Sequence, residues 1–170
     1  PTCAVCHVSQ LANADGDIVA ERTHQMNDRL GYRIFGLVYA HPHPLSPDTS
    51  IIRNNDGLPL PTDLDGDLAQ KYLIDAETVA ERRTTMQQSC RNCHDTSWIE
   101  GYFTRLDNTI AKSNAAVKTA TKLMLEIWQS GYAQGPGEGK SPFDESIERR
   151  WTDIWLLYAN NVRFVSAMAG

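Results

Sequence analysis

The chain has 170 residues, 41% hydrophobic and 22% charged, which is an ordinary globular composition and the size of one domain. A formal net charge of -5 argues against a general nucleic-acid binder. No window approaches the roughly 18 uninterrupted apolar residues that a membrane span requires, no signal peptide opens the chain, and its first residue is Pro1 rather than Met.

The chain begins Pro1-Thr2-Cys3-Ala4-Val5-Cys6-His7, and the same form returns at Ser89-Cys90-Arg91-Asn92-Cys93-His94. In C-x-x-C-H two thiols add to the vinyl groups of a haem, and the histidine that follows reaches the iron as proximal ligand. The two copies use all four cysteines. A zinc tetrathiolate is the competing reading, but compact zinc ribbons place their pairs roughly 15 to 20 residues apart. A long polar and helical stretch separates the pairs here. A thioredoxin-like redox motif would need a βαβ context, and no pattern of short β-branched strands surrounds either motif. The residues therefore predict two haems c, attached at Cys3 and Cys6 and at Cys90 and Cys93, with His7 and His94 as proximal iron ligands. Covalent attachment takes place after export, outside the bacterial inner membrane, so a periplasmic location is expected. The listed residues are then a mature segment or a fragment, and the uncapped helical pattern ending at Gly170 favours a fragment.

Past His7 a polar run turns at Asp15-Gly16-Asp17 and reaches His24 and Met26. His24 is a candidate distal ligand, since a neutral imidazole on the far face is common in multihaem proteins. Met26 reads as packing. Leu30 to Tyr39 predicts one short buried strand or extended segment. It leads into His41-Pro42-His43-Pro44, where prolines forbid helix, and turn chemistry continues to Asp67. His41 and His43 are either exposed loop histidines, axial ligands to a neighbouring haem or proton donors near a substrate. Asp63, Asp65 and Asp67 resemble the opening of a calcium loop but lack its distant glutamate, and read as a solvated turn.

Asp75 is the expected N-cap of a helix running from Ala76 to about Ser89, which delivers Cys90. Ser97-Trp98-Ile99-Glu100 reads as a capping box that starts a second helix, ending near Gly131. Its apolar residues fall on two heptad rows, Phe103, Ile110, Val117 and Met124 beside Ile99, Leu106, Ala120 and Ile127, with Ser113 breaking the second. A glycine-rich linker spans 131–140. Ser141-Pro142 then supplies an expected N-cap and first-turn proline for another rod, with its seam at Ile147, Trp151, Ile154, Tyr158, Val165 and Met168 and a polar gap at Asn161. The predicted fold class is mainly α. Residues 1–95 form a haem-binding region with a long Pro/Asp-rich loop, and residues 96–170 a long antiparallel helical hairpin whose seam serves as scaffold and has area left for another subunit or a haem edge.

Taken together, the opening Pro1 to His7 motif, the Thr23-His24 pair and Cys90 to His94 entering long helices occur in an order that resembles the C-terminal part of the octahaem cytochromes c of the hydroxylamine oxidoreductase type, over nearly the whole chain. The resemblance implies a periplasmic enzyme with eight haems per subunit, the last two of them held here and serving electron transfer with histidine on both faces. The catalytic haem would be attached upstream. It also implies a homotrimer, formed through the long helices, and an acceptor or donor cytochrome c. The loop with His41 and His43 departs from the pattern of the ammonia-oxidising members. Oxidative members carry, just past the second long helix, a tyrosine crosslinked to a neighbouring subunit's catalytic haem, a position expected beyond Gly170.

The expected function is oxidation of hydroxylamine to nitric oxide or nitrite, with this segment moving electrons. The alternatives are an octahaem nitrite or hydroxylamine reductase forming ammonia, or a small dihaem electron carrier.

Overall fold

The computed structural model describes residues 3–24, 26, 28, 29, 76–135 and 140–169. The expected strand at 30–39, the histidines His41 and His43, the aspartates Asp63, Asp65 and Asp67, and the Asp75 cap lie outside the described residues. The described part is mainly helical, as expected. Its elements are α1 (Cys3–His7), β1 (Leu11–Ala12), β2 (Ile18–Ala20), α2 (Ala76–Arg91), α3 (Thr96–Gln129), α4 (Ser146–Thr152), a π-helical turn (Asp153–Tyr158) and α5 (Ala159–Ala169). None of the described helices is long and apolar enough to cross a membrane. The described residues divide into two compact units, one made of residues up to 29 with 76–104, the other of 105–169.

In the first unit the polar run after His7 is a small antiparallel hairpin of β1 and β2, with Leu11 opposite Ala20. Asn13 closes its turn. The Asn13 Oδ1 accepts the N–H of Asp15 at 3.0 Å and of Asp17 at 2.9 Å, and Gly16 takes the positive φ of 90° that the tight reversal requires. α1 packs on α2. The guanidinium of Arg83 on α2 lies 4.7 Å over the Phe103 ring of α3, a cation–π contact between the two helices.

α3 has 34 residues, about 50 Å at 1.5 Å each. Its N-cap is Asp95, not the serine expected at Ser97. The Asp95 carboxylate accepts the Trp98 N–H at 2.8 Å, while Ser97, already inside the helix, donates its hydroxyl to the same oxygen at 2.7 Å. A carboxylate at this position satisfies an orphaned backbone donor and faces the positive end of the helix dipole, which a serine does less well. At the other end Gly131 has a φ of 74°. Its N–H donates to the Trp128 carbonyl and that of Tyr132 to Ile127, which is a Schellman ending.

The second unit is an antiparallel pairing of α3 with α4, the π-helical turn and α5. The first heptad row is buried as the sequence predicts, at Ile110, Val117 and Met124 in this unit and at Phe103 in the other. Trp151 and Trp155 pack against Val117, Met124, Ala133 and Ala159, and Trp151 meets Trp128 edge-on with ring centroids 5.3 Å apart. The break at Ser113 has a physical reason: the residue is buried, and its hydroxyl reaches the Ala159 carbonyl of the opposing helix at 3.5 Å.

The second rod departs from expectation twice. It begins at Ser146, with Glu145 as N-cap, rather than at Ser141-Pro142, whose serine instead accepts the Phe143 N–H in a turn. Its buried side is Glu148, Trp151, Trp155, Ala159, Asn160 and Arg163, so of the expected seam only Trp151 is in the core. Tyr158, Val165 and Met168 are exposed, and so is Asn161. The π-helical turn is the cause. Three strides of four residues lead from Trp151 to Arg163, and on an α-helix each stride advances about 400°, roughly 40° past a full turn. A wider turn with i→i+5 bonding, seen where the Ala159 N–H donates to the Ile154 carbonyl, takes up that excess and keeps the four-residue stride on one face.

Glu148 ties this unit together. Fully buried, its carboxylate accepts the Trp128 Nε1–H at 2.8 Å, the Gly135 N–H at 3.2 Å and the Glu145 N–H at 3.0 Å. Gly135 has a φ of 65°, and a Cβ there would stand 2.8 Å from the Trp128 ring, so only glycine permits this approach. Replacing Glu148 by alanine leaves three buried N–H groups without their acceptor and should cost about 3 kcal/mol. The measurement is the thermal unfolding midpoint, expected to fall by several degrees. An unchanged midpoint would show that those donors find other acceptors.

Candidate haem-attachment site

Each C-x-x-C-H motif is one turn of helix. α1 places Cys3, Cys6 and His7 at i, i+3 and i+4, the spacings that share one side of a helix. The second motif straddles the end of α2. Cys90 is within the helix, and the turn continues beyond it because the N–H groups of Cys93 and His94 both donate to the Cys90 carbonyl, at 3.1 and 3.0 Å. Two stretches separated by more than eighty residues in sequence therefore adopt the same local form within one unit. All four cysteines are free thiols, Cys3 and Cys93 exposed, Cys6 and Cys90 half-buried. Burial pushes the Cys90 thiol up from its ordinary range, and the nearby Cys6 adds to the shift, which places the inner thiols of the two motifs within electrostatic reach of each other.

The two histidines differ in setting. His7 is half-buried, and its Nδ1 is a buried polar atom with no hydrogen-bond partner among the described residues. Burial lowers its pKa, a hydrogen bond with the Met26 backbone works in the opposite direction, and the positive charge of Arg29 lowers it further. Both downward influences favour the neutral imidazole, the form that binds a metal. His94 is exposed and stacked on Trp98, with ring centroids 3.6 Å apart and planes inclined by 9°. Trp98 in turn stacks on Tyr102 at 5.5 Å and 14°.

Arg29 is a residue that sequence reasoning missed. It is 3% exposed, and its guanidinium donates to the carbonyls of Cys6 at 3.0 Å, of Glu21 at 2.9 Å and of Ser9. One cation thus ties the end of the first motif to the strand region after it. Nothing in a lone arginine among polar residues announces such a role. Asp95, by contrast, had a readable signal, since an aspartate immediately before an apolar helical pattern is a preferred N-cap. The hydrogen bonds from Trp98 and Ser97 hold its carboxyl below the usual carboxylate range.

His24 lies in the same unit, exposed, at a bend. Its neighbour Thr23 anchors the bend through a 2.5 Å hydrogen bond donated to Asp28 and a backbone bond to Val8. The first unit thus brings together both cysteine pairs, His7, His94 and His24, whereas His41 and His43 lie outside the described residues.

The residues present fit a haem at each motif. Among the described residues this unit buries only three apolar side chains, Leu11, Ile99 and Phe103, while Val5, Ile18, Met26 and Trp98 are exposed. That is little core for so many residues, and apolar surface is left that a covalently held ring would cover. The orphaned Nδ1 of His7 is a further mark of a site whose polar groups are not all satisfied by protein.

No family model matches the chain, and no curated protein does. A solved structure described as a "Hypothetical multiheme protein" is similar over 100% of this chain, with 34% sequence identity and a TM-score of 0.74. The chain spans 40% of that protein's length.

Proposed function

We propose that the chain is part of a multihaem cytochrome c and carries two electron-transfer haems, one held by Cys3, Cys6 and His7, the other by Cys90, Cys93 and His94. The observation that carries this reading is the common helical turn of the two motifs, which sets two thiols and an imidazole on one side of the backbone twice within one unit. The similarity to a protein described as multihaem, at 34% identity over the whole chain, supports it. When bound, haem c supplies reversible one-electron chemistry at the iron. The protein's own residues provide the rest. The thiols fix the ring, His7 and His94 offer imidazole nitrogens to the iron, and Arg29 holds the carbonyls around the first motif in place. His24 is the candidate distal ligand.

More finely, the reading is a periplasmic oxidoreductase of nitrogen metabolism of the hydroxylamine oxidoreductase type, with eight haems per subunit and its catalytic haem on another part of the protein. The order of the motifs and their entry into long helices support this. Electrons from hydroxylamine oxidation would pass through this segment to an acceptor cytochrome c. A homotrimer built through the long helices belongs to the same reading, and the exposed Leu157, Tyr158, Val162, Val165 and Met168 offer apolar surface for it.

Three measurements test these statements. Replacing Cys90 and Cys93 together by serine should remove one haem from the count given by the pyridine haemochromogen spectrum; an unchanged count would overturn attachment there. His24→Ala should convert one haem from low-spin to high-spin while its thioether bonds persist, and an unaltered spin state would remove His24 from the site. On a denaturing gel of the full-length native protein stained for haem, bands at multiples of the subunit mass are expected from crosslinked subunits, whereas a single monomer band would favour the reductive direction.

A further inference from the structure

The second motif is followed by a feature that haem attachment itself does not require. α3 starts directly after His94, because Asp95 caps it, and this puts Trp98 one turn along from His94 and Tyr102 one turn further. The rings of His94, Trp98 and Tyr102 lie nearly parallel, inclined by 9° and 14° at successive contacts. Tyr102 then meets the buried Phe103 edge-on at 5.2 Å, and Phe103 lies beneath the Arg83 guanidinium. An exposed histidine is thus connected by contiguous aromatic contacts to a core residue. Trp98 is itself 41% exposed, so it contributes little to the core for its size. Its broad face is occupied by the imidazole.

We infer that Trp98 is a positioning residue for the iron ligand His94, setting the plane of its imidazole by stacking. This inference rests on the haem reading of Cys90, Cys93 and His94. An imidazole bonded to a metal through one nitrogen keeps one freedom, rotation about that bond, and a second-shell group removes it. A hydrogen bond to the other ring nitrogen is the common device. Here the indole face serves, since an imidazole cannot turn out of a 3.6 Å parallel stack without losing the contact. The Asp95 cap holds the Trp98 backbone, and Tyr102 supports the far face of the indole. The plane of an axial imidazole governs its overlap with the iron orbitals, and the low-spin ferric spectrum reads it directly.

The test uses the full-length haem-loaded protein in two variants, Trp98→Phe, which keeps an aromatic face, and Trp98→Leu, which keeps apolar bulk without one. Mass spectrometry of the peptide carrying Cys90 and Cys93 first establishes that a haem is attached in the unaltered protein; its absence there would refute the haem reading itself. With the haem count equal in all three proteins, electron paramagnetic resonance should show one low-spin signal displaced in Trp98→Leu and retained in Trp98→Phe. Equal displacement in both, displacement in Trp98→Phe alone, or none in either, would overturn the inference. So would loss of the haem from either variant, which would make Trp98 a support of the fold rather than of the ring's orientation.

Discussion

The geometry of one helical turn constrains everything proposed for this chain. Residues three and four apart share a side of a helix, so C-x-x-C-H on a helical backbone presents two thiols and an imidazole toward the same space. The chain builds that turn twice and supports it differently each time. At the first motif the turn is short and stands outside any long helix, and the buried Arg29 holds its carbonyls from beyond the hairpin. At the second the turn lies between two long helices, and the Asp95 cap lets one begin where the other's last turn ends.

The two units solve the problem of stability in opposite ways. The unit of residues 105–169 is a self-sufficient helical pairing, with Trp151 and Trp155 in an apolar cluster and a buried carboxylate whose polar demand is met by three donors. Burial of a tryptophan of this kind is worth roughly 3 to 5 kcal/mol against alanine. The other unit has few buried apolar residues among those described and is held by polar contacts such as those of Arg29. A large apolar cofactor is the element such a unit needs, and this explains why function and folding are joined there and separable in the other unit.

How much was legible in the sequence follows from the kind of signal each feature leaves. The haem motifs, the long helix α3 and its buried heptad row are written in residue types at fixed spacing, and they read correctly from Ile99 to Met124. The register of the last helices did not, because an α-helical period was assumed across Asp153 to Tyr158, where the backbone widens. Buried polar residues misled for a related reason: Glu148, Thr121 and Arg163 look like surface positions until their partners are known. Trp151 donates to Thr121 at 3.2 Å, and Arg163 bridges Asn160 and Asn114 at 3.1 and 2.6 Å. Such pairs lie far apart along the chain, and no local pattern records them.

The π-helical turn has a consequence for how this chain tolerates change in length. Removing one residue between Asp153 and Tyr158 would close the wide turn into ordinary α-helix and rotate everything after it by about 100°. Arg163 would leave Asn114, and a different set of side chains, Val162 or Phe164 among them, would turn toward α3. The exposed side of α5 accommodates substitution readily, since little depends on each residue there. Insertion or deletion in the turn before it exchanges one whole face for another, so the spacing of this segment is specified more strictly than its composition.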